Sequence, residues 1–578
     1  MAKGADPSED RLLRVDMTTG EVELQPYPED WRLLGGRALI ARVLTEECDP
    51  TCDPLGPDNV LVMAPGVLSG TAVPTSGRIS FGCKSPLTGG IKEANAGGEP
   101  GQHLMKLGIR GIVVKGQPAD RDARYGLHVD ADGAKLVEAP ATKGKWNYEL
   151  VEGLGQNATD TTSFIVIGPA GELGLKGASI ACTDQGNRYP TRHAARGGVG
   201  AVMGVKGLKY VSIDPGKLPV RKPADMKGFM GLVKSFSRAT LDAPQIFAGG
   251  TSAFVGAANA LASLPTNNRE GVQSEKWEGL DGSGIMASFE ERGGEMHNCM
   301  TGCIVQCSNE VHAPDGSYRT SALEFETLAL LGSNCGVYDW DAVAELDRLC
   351  DDVGLDTIET GAAIGVYMDA GRMDYGDLSG MKKLFDEIAD GSDLGRTIGD
   401  GAATTGKATG HQRLPVVKGQ AIAAWEPRTL HATGMCYATS AQGADHTAGL
   451  IMDPSVPEDQ LAIRSQELQL VIATNDSSGC CHFLQTTLDD LRGFYGALYG
   501  KEVSREQISD LGWRILEEEW AFNRKAGFKP EDDRLPEWMT TDAVGPQQAV
   551  WDVPDEIVAK VYERFPIRDE LFETKTTA

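Results

Sequence analysis

Basic side chains are scarce in this sequence: 55 Lys and Arg stand against 82 Asp and Glu, a net charge of −27. A surface that grips phosphates needs clustered cations, so this balance argues against nucleic-acid binding and reads first as solubility. Long apolar runs are missing as well, and nothing approaches the ~20 residues of a membrane span. The start, Met1-Ala2-Lys3-Gly4-Ala5-Asp6, has no apolar stretch of the kind that directs export. The expected compartment is therefore the cytoplasm, where thiols stay reduced. There the twelve cysteines favour metal sites over a disulfide framework.

Glycine, by contrast, is abundant at 71 of 578 residues, with no period that would indicate a fibrous repeat. Glycine at that density marks tight turns and backbone lying close to a ligand. Short apolar runs at 59–64, 111–115 and 163–168 read as strands, and helical spacing takes over from about 225. Examples are Leu323 to Leu331, Trp340 to Val353 and Val456 to Ala473. No repeat at solenoid periods is evident. The expected fold class is α+β: a β-rich N-terminal domain over 1–213, then two mainly helical domains over 214–412 and 413–578.

Three features carry chemistry. Cys299, Cys303 and Cys307 are evenly spaced, on one helix face or converging from loops, and offer three of the four thiolates an iron–sulfur cluster normally takes. Structural zinc prefers two close cysteine pairs, so a cluster is the better match. Next, Asp351-x-x-Gly354-x-Asp356 and Asp476-x-x-Gly479-x-Cys481 are copies of one pattern. Each alone reads equally as a helix-end turn. As a pair, one ending in a fourth thiol, they suggest two copies of one organic ligand tied to the cluster. Spacing from Asp476 favours Cys481 over Cys480 as that thiol. Third, glycines flank Arg78, Asn95 and Arg196, a combination that suits phosphate because bare N–H groups and a guanidinium both donate to it. Neither a P-loop nor a dinucleotide fingerprint is present.

With these motifs in view, the chain resembles the aldehyde ferredoxin oxidoreductase family of tungsten bis-pterin enzymes from Gly35-Gly36-Arg37 to the Cys481 turn. The most specific matches are Ser85-Pro86-Leu87-Thr88-Gly89, Arg196-Gly197-Gly198, Gly200 to Gly204 and the two aspartate turns. The resemblance implies a β-rich base that cradles two pterins beneath two helical domains. It assigns Asp351, Leu355, Asp356, Asp476 and Cys480 to the pterins, and Arg78, Asn95, Gly97, Arg196 and Gly197 to their phosphates. Asn95 and the Gly197 carbonyl would ligate a bridging magnesium. Cys299, Cys303, Cys307 and Cys481 would hold one [4Fe–4S] cluster, and Glu326 and His446 would be catalytic.

Two departures stand out: three residues separate Cys299 from Cys303, where well-known archaeal members have two, and the stretch from His446 to Asp476 is shorter. Cys335 is read as a small buried residue, with an axial metal thiolate as the alternative, and Cys48 and Cys52 as bystanders. The resemblance implies oxidation of a small aldehyde to its acid, with electrons passing to ferredoxin or a ferredoxin-like subunit, in an oligomer. Tungsten and molybdenum both bind through the pterins, so the sequence leaves that choice open. Rival readings are an acyl-CoA reductase of the benzoyl-CoA type, a non-catalytic electron-transfer or scaffold subunit, and a zinc-stabilised binding protein.

Overall fold

A computed structural model describes residues 2–3 and 9–574, with side chains from residue 9 onward. Most of the N-terminal stretch read above for export signals lies outside the described residues. Among these residues, no helix is long and apolar enough to cross a membrane.

The N-terminal part builds two mixed sheets. In spatial order the first contains Glu21–Pro26, Arg11–Asp16, Ile109–Lys115, Leu61–Pro65, Ile79–Lys84 and Ile91–Ala96. The second contains Gly133–Glu138, Tyr125–Asp130, Leu208–Asp214, Ser163–Val166, Ile180–Cys182 and Arg192–Ala194, with Ala2–Lys3 added at its outer side. Side chains alternate across a strand, so each sheet offers one face to a shared core. Leu13, Met63, Phe81 and Ile112 of the first sheet meet Leu127, Ile165, Val211 and Ile213 of the second there.

The two sheets are built to one plan. Each runs hairpin, helix (Gly36–Glu47 or Asn147–Gly155), three strands, short helix (Pro100–Lys106 or Val199–Val205) and last strand. That last strand inserts parallel to the first strand of the hairpin, while every other pairing in the two six-strand sets is antiparallel. The edge strands Ile91–Ala96 and Arg192–Ala194 lie side by side. The N-terminal region is thus an internal duplication about an approximate twofold, at a spacing far beyond solenoid repeats.

Beyond Asp214 the chain becomes helical, giving the expected α+β arrangement. Helices Leu461–Ser478, Leu488–Tyr499 and Arg505–Ala526 bury Leu470, Phe494 and Leu516 against Leu39, Val43 and Leu44 of Gly36–Glu47, on the outer face of the first sheet. The helix Met226–Asp242 joins the same core through Phe229 and Phe236, whereas Trp340–Val353, Thr357–Asp369 and His431–Thr439 share a separate one. The helix expected from Val456 starts five residues later, after Pro457 and a short 3-10 turn at Glu458–Gln460. The one expected over Leu323 to Leu331 is broken into an α turn at Phe325–Thr327, a π turn at Leu328–Gly332 and a 3-10 turn at Ser333–Cys335. Such π turns gather at functional sites.

Both aspartate turns are helix ends that dock on the sheets. Gly354 and Gly479 close Trp340–Val353 and Leu461–Ser478 at φ 85° and 83°, the left-handed region open to glycine. Gly168, just beyond the strand Ser163–Val166, faces the first turn, and a Cβ there would lie 2.2 Å from the Val353 carbonyl oxygen. Gly66, just beyond Leu61–Pro65, faces the second, where a Cβ would lie 2.0 Å from the Gly479 nitrogen. Replacing either glycine by alanine should destabilise the protein by about 2–4 kcal/mol, because backbone must move to admit the methyl. Gly155→Ala, with open space around it, should be neutral or slightly stabilising; thermal unfolding of the three variants checks this.

Candidate active site

The twofold of the sheets carries through to the turns. The Arg78 N–H donates to the Gly479 carbonyl at 3.1 Å, and the Ser179 N–H donates to the Gly354 carbonyl at 2.9 Å. Arg78 and Ser179 hold equivalent places, each just before a middle strand (Ile79–Lys84 or Ile180–Cys182). Each aspartate also meets a histidine: Asp476 Oδ1 lies 2.6 Å from His482 Nε2, and Asp351 Oδ1 lies 3.2 Å from His193 Nε2. Asp356 caps the helix Thr357–Asp369 through the Ile358 N–H (3.0 Å) and accepts from Arg196 Nε (3.3 Å). Leu355 and Cys480 are packed inside.

Between the turns lies a cradle of buried charge. Arg37 donates to both Glu519 oxygens at 2.7 and 2.8 Å and lies 3.4 Å from Asp476 Oδ2. Lys92 donates to Asp445, and Arg78 to the Asn95 side chain. Arg196 Nη1 donates to the Ala444 carbonyl at 2.6 Å. The Gly197 carbonyl accepts from the Ser85 hydroxyl at 2.7 Å. Gly197 sits at φ 79°, and a Cβ on it would lie 2.4 Å from Lys92 Cγ, so glycine is required there. Burial pushes the Glu93 carboxyl up to about 8, with Asp476 adding to the effect. Asp351 is raised well above the carboxylate range by burial and by Asp347. Glu93 Oε1 and Asp351 Oδ2 are buried with no hydrogen-bond partner in the protein.

The three evenly spaced cysteines lie on turns, not on a helix. Their segment is laced to the strap at 75–78 and to the Cys481 turn: Thr75 N–H donates to Gly302 (3.0 Å), and Cys481 N–H to Thr75 (3.0 Å). All four thiols face one another closely enough to interact electrostatically. Burial pushes Cys299 up to about 12, Arg192 opposes this, and Cys303 and Cys481 add to it. Cys307 and Cys481 are raised by burial too. None of the four is in a disulfide. Among the described residues no three ligating side chains converge on a point fit for a single metal ion. Arg78 sits among Cys481, Cys299 and Asp476, whose negative charge outweighs burial and raises its affinity for its proton. Gly97 lies against the thiols, and a Cβ on it would be 3.1 Å from Cys299 Sγ.

Glu326 and His446, 120 residues apart in the chain, meet with Oε1 and Nε2 at 3.8 Å. Glu326 Oε2 accepts the Ala424 N–H at 2.6 Å, which fixes the carboxylate. Its Oε1 and the His446 Nδ1 are buried without hydrogen-bond partners. The nearby Tyr437 hydroxyl is buried and unpartnered as well. Asp445, next to His446, would be raised by burial, but Lys92 and Arg196 hold its carboxyl well below the usual range. Glu324, two residues away, points elsewhere, toward Thr251.

Comparison with known proteins decides the class. The family model "Aldehyde ferredoxin oxidoreductase, N-terminal domain" matches residues 12–215, and "Aldehyde ferredoxin oxidoreductase, domains 2 & 3" matches 232–566. The chain belongs to the aldehyde ferredoxin oxidoreductase family. Tungsten-containing aldehyde ferredoxin oxidoreductases of Thermococcus kodakarensis and Pyrococcus furiosus are 32% and 31% identical to it, each over 91% of this chain and 90% of theirs. An aliphatic sulfonate oxidoreductase WOR-like subunit of Pyrococcus furiosus is 26% identical over 88% of this chain and 84% of its own. Among solved structures, the active-site complex BamBC of benzoyl coenzyme A reductase shares the fold, with TM-score 0.80 at 18% identity over 97% of this chain and 93% of that one.

Membership of this oxidoreductase family implies a tungsten–pterin cofactor and an iron–sulfur cluster, and the residues fit both. The unpartnered Glu93 and Asp351 oxygens, the cations Arg37, Arg78 and Lys92 and the cramped glycines suit a polar, anionic, flat guest. Four facing thiols are the donor set of an iron–sulfur cluster. Cys335 lies in the core, its thiol raised by burial and donating to the Leu330 and Gly361 carbonyls at 3.3 and 3.4 Å. It is placed as a packed residue. Cys48 and Cys52 sit away from the site, 3.9 Å apart between sulfurs.

Sequence reading missed the groups that hold the Glu326–His446 pair. Arg269 lies on a strap where Asn267, Asn268 and Arg269 all have positive φ (46°, 48° and 62°), a conformation costing roughly 1 kcal/mol or more per residue. The strap is tied down by the Asn268 N–H to the Asn334 carbonyl (3.0 Å), and its arginine donates to the Ile422 carbonyl (2.9 Å) and Glu426 (3.0 Å). It thereby fixes the segment whose Ala424 N–H holds Glu326. Burial would raise Glu426, but Arg428 and Arg269 pull it down to about 2. A carboxylate depressed from 4.5 to about 2 lends its stability above pH 4.5 and loses it as pH falls toward 2. Glu426→Gln should therefore cost about 3 kcal/mol or more at pH 7, leaving two buried guanidinium groups underpaired. It should also flatten the acid limb of stability in that window; urea unfolding across pH measures both.

Proposed function

We propose that this enzyme oxidises aldehydes to carboxylic acids with water, passing the two electrons to ferredoxin or a ferredoxin-like subunit. The balance is aldehyde plus water giving acid, two electrons and two protons. The Glu326–His446 contact carries this reading, because a fixed carboxylate with one free oxygen beside an imidazole is an acid–base pair at a half-buried site. In this reading Asp351, Leu355, Asp356, Asp476 and Cys480 hold two pterins, with Arg78, Asn95, Gly97, Arg196 and Gly197 at their phosphates. Asn95 and Gly197 are the proposed magnesium ligands. Their oxygens already accept from Arg78 and Ser85, and each keeps a second lone pair. Cys299, Cys303, Cys307 and Cys481 are the proposed ligands of one [4Fe–4S] cluster.

When bound, the tungsten centre supplies Lewis acidity and two-electron redox capacity. The chain's own residues position and move protons. Ala424 N–H pins Glu326 Oε2, so Oε1 is the atom that accepts a proton from water or from the substrate. His446 Nε2, at 3.8 Å from Oε1, donates to the carbonyl oxygen of a substrate bound beside the pair. Asp445, anchored by Lys92, presents a fixed negative charge 4.0 Å from His446 Nδ1 and so orients the ring. Trp425 and Phe325, their rings tilted to each other with centroids 4.7 Å apart, help keep bulk water out.

Glu326→Gln should keep tungsten, iron and fold while turnover drops at least ~10³-fold, the scale of losing a positioned general base. Tungsten and iron analysis beside an aldehyde-dependent dye-reduction assay tests this, with an acyl-CoA substrate as the control; turnover by the variant at the parental rate would remove Glu326 from the chemistry. Separately, Cys303→Ser should lower bound iron and the brown absorbance of anaerobically purified protein, whichever substrate is used.

A further inference from the structure

In a chain with a net charge of −27, the segment after Asp214 has the opposite sign and is exposed. Between Asp214 and Asp242 stand six basic residues and a single acid, Asp225, which caps the helix Met226–Asp242. Lys222, Lys227, Lys234 and Arg238 are exposed. Among the described residues the three lysines have no ion-pair partner, and Arg238 pairs only with its helix neighbour Asp242. The same helix exposes Met226, Met230 and Leu241, and Ile246 follows at 53% exposure. A basic surface with apolar side chains set into it has the composition of a protein-recognition patch.

Its position gives the partner. The helix packs inward through Phe229 and Phe236 onto Phe494, and its outgoing segment lies directly on the cluster cysteines. There Phe247 stacks on Phe483 at 4.0 Å, two residues beyond Cys481. A Cβ on Gly250 would lie 2.6 Å from the Cys307 carbonyl oxygen. A cavity of about 330 Å³ lined in part by Glu295, Asn298, Gln306 and Glu310 lies beside the chain neighbours of Cys299 and Cys307, and its carboxylates carry the sign of the chain as a whole. The Met226–Asp242 face carries the opposite sign and so attracts an acidic protein.

We propose that the face formed by Met226–Asp242 and the segment to Ile246 is the docking surface for an acidic one-electron carrier with its own iron–sulfur cluster. The inference rests on the electron exit described under Proposed function, and gives it a location and a charge. A strongly acidic partner is repelled by the net charge of this protein and attracted by this basic strip, so docking is selective and salt-sensitive. An anionic membrane surface would meet the same lysines, but few apolar side chains are there to insert, and the remaining net charge opposes it.

The test uses anaerobically purified holoprotein reduced with dithionite, so that no organic substrate is needed. Its reoxidation is followed by loss and return of visible absorbance with two acceptors, a purified acidic two-cluster ferredoxin and a small viologen dye. For Lys227→Glu/Lys234→Glu/Arg238→Glu, the ferredoxin rate at low salt should fall by about ten-fold or more and lose its salt dependence, with the viologen rate unchanged. An unchanged ferredoxin rate, or an equal fall with viologen, overturns the proposal. So does co-sedimentation of the unaltered protein with phosphatidylglycerol vesicles that the same variant abolishes. Protein that carries no iron, and accepts no electrons from dithionite, instead refutes the cluster reading on which the inference rests.

Discussion

Main-chain hydrogen bonds join two helix ends to two sheets, and the rest of the molecule is arranged around those joints. Each of Gly354 and Gly479 ends a helix in a left-handed turn, and the carbonyl of each accepts from the residue that opens an equivalent strand. The fit is close enough that glycine is needed on the sheet side as well, at Gly168 and Gly66. Packing of this kind fixes position far better than side-chain contact does, because a peptide unit has little freedom to yield. It also brings the aspartates of the two turns to matching places around the junction of the sheets. A duplicated base with two matched turns is a frame for two copies of one ligand.

The second constraint is charge held out of water. Arg37, Lys92, Arg196, Asp445 and Glu519 are all buried around the cradle, and isolated charges in such a setting would be strongly unfavourable. Pairing offsets part of that penalty, yet buried ion pairs seldom stabilise more than apolar residues of the same volume. Their presence in the cradle is better explained by what they face than by stability. The oxygens left unpartnered inside the protein, on Glu93, Asp351 and Glu326, are free to accept from or donate to a guest. The same logic places the thiols, which face one another rather than pairing as disulfides, with Cys299, Cys307 and Cys481 raised by burial.

The Glu326–His446 pair depends on parts of the chain that are remote in sequence. Glu326 lies at the start of a helix interrupted by a π turn, and its orientation comes from Ala424. Ala424 is held in turn by a strap of three residues in an unfavourable backbone conformation, through Arg269. Strain of this sort persists only where surrounding bonds over-determine it, and the bonds from Asn334, Arg413 and Arg428 do so. The pair is therefore a property of the assembled core of the helical region.

The sequence by itself determined the elements whose cause is local. Short continuous apolar runs become the strands at 61–65, 109–115 and 163–166, which are buried on both faces, and Trp340–Val353 is a helix between an aspartate cap and a glycine stop. The paired aspartate turns and the cysteine triple were legible because their residue types and spacings are unusual. Tertiary structure alone decided the duplication of the sheets, since two chains can share a topology while keeping only a few glycines in common. It alone brought Glu326 to His446, paired Lys92 with Asp445 and set Arg269 beneath Ala424. In each case the partners come from segments far apart in the chain, and nothing in the local pattern of either one encodes the distance between them.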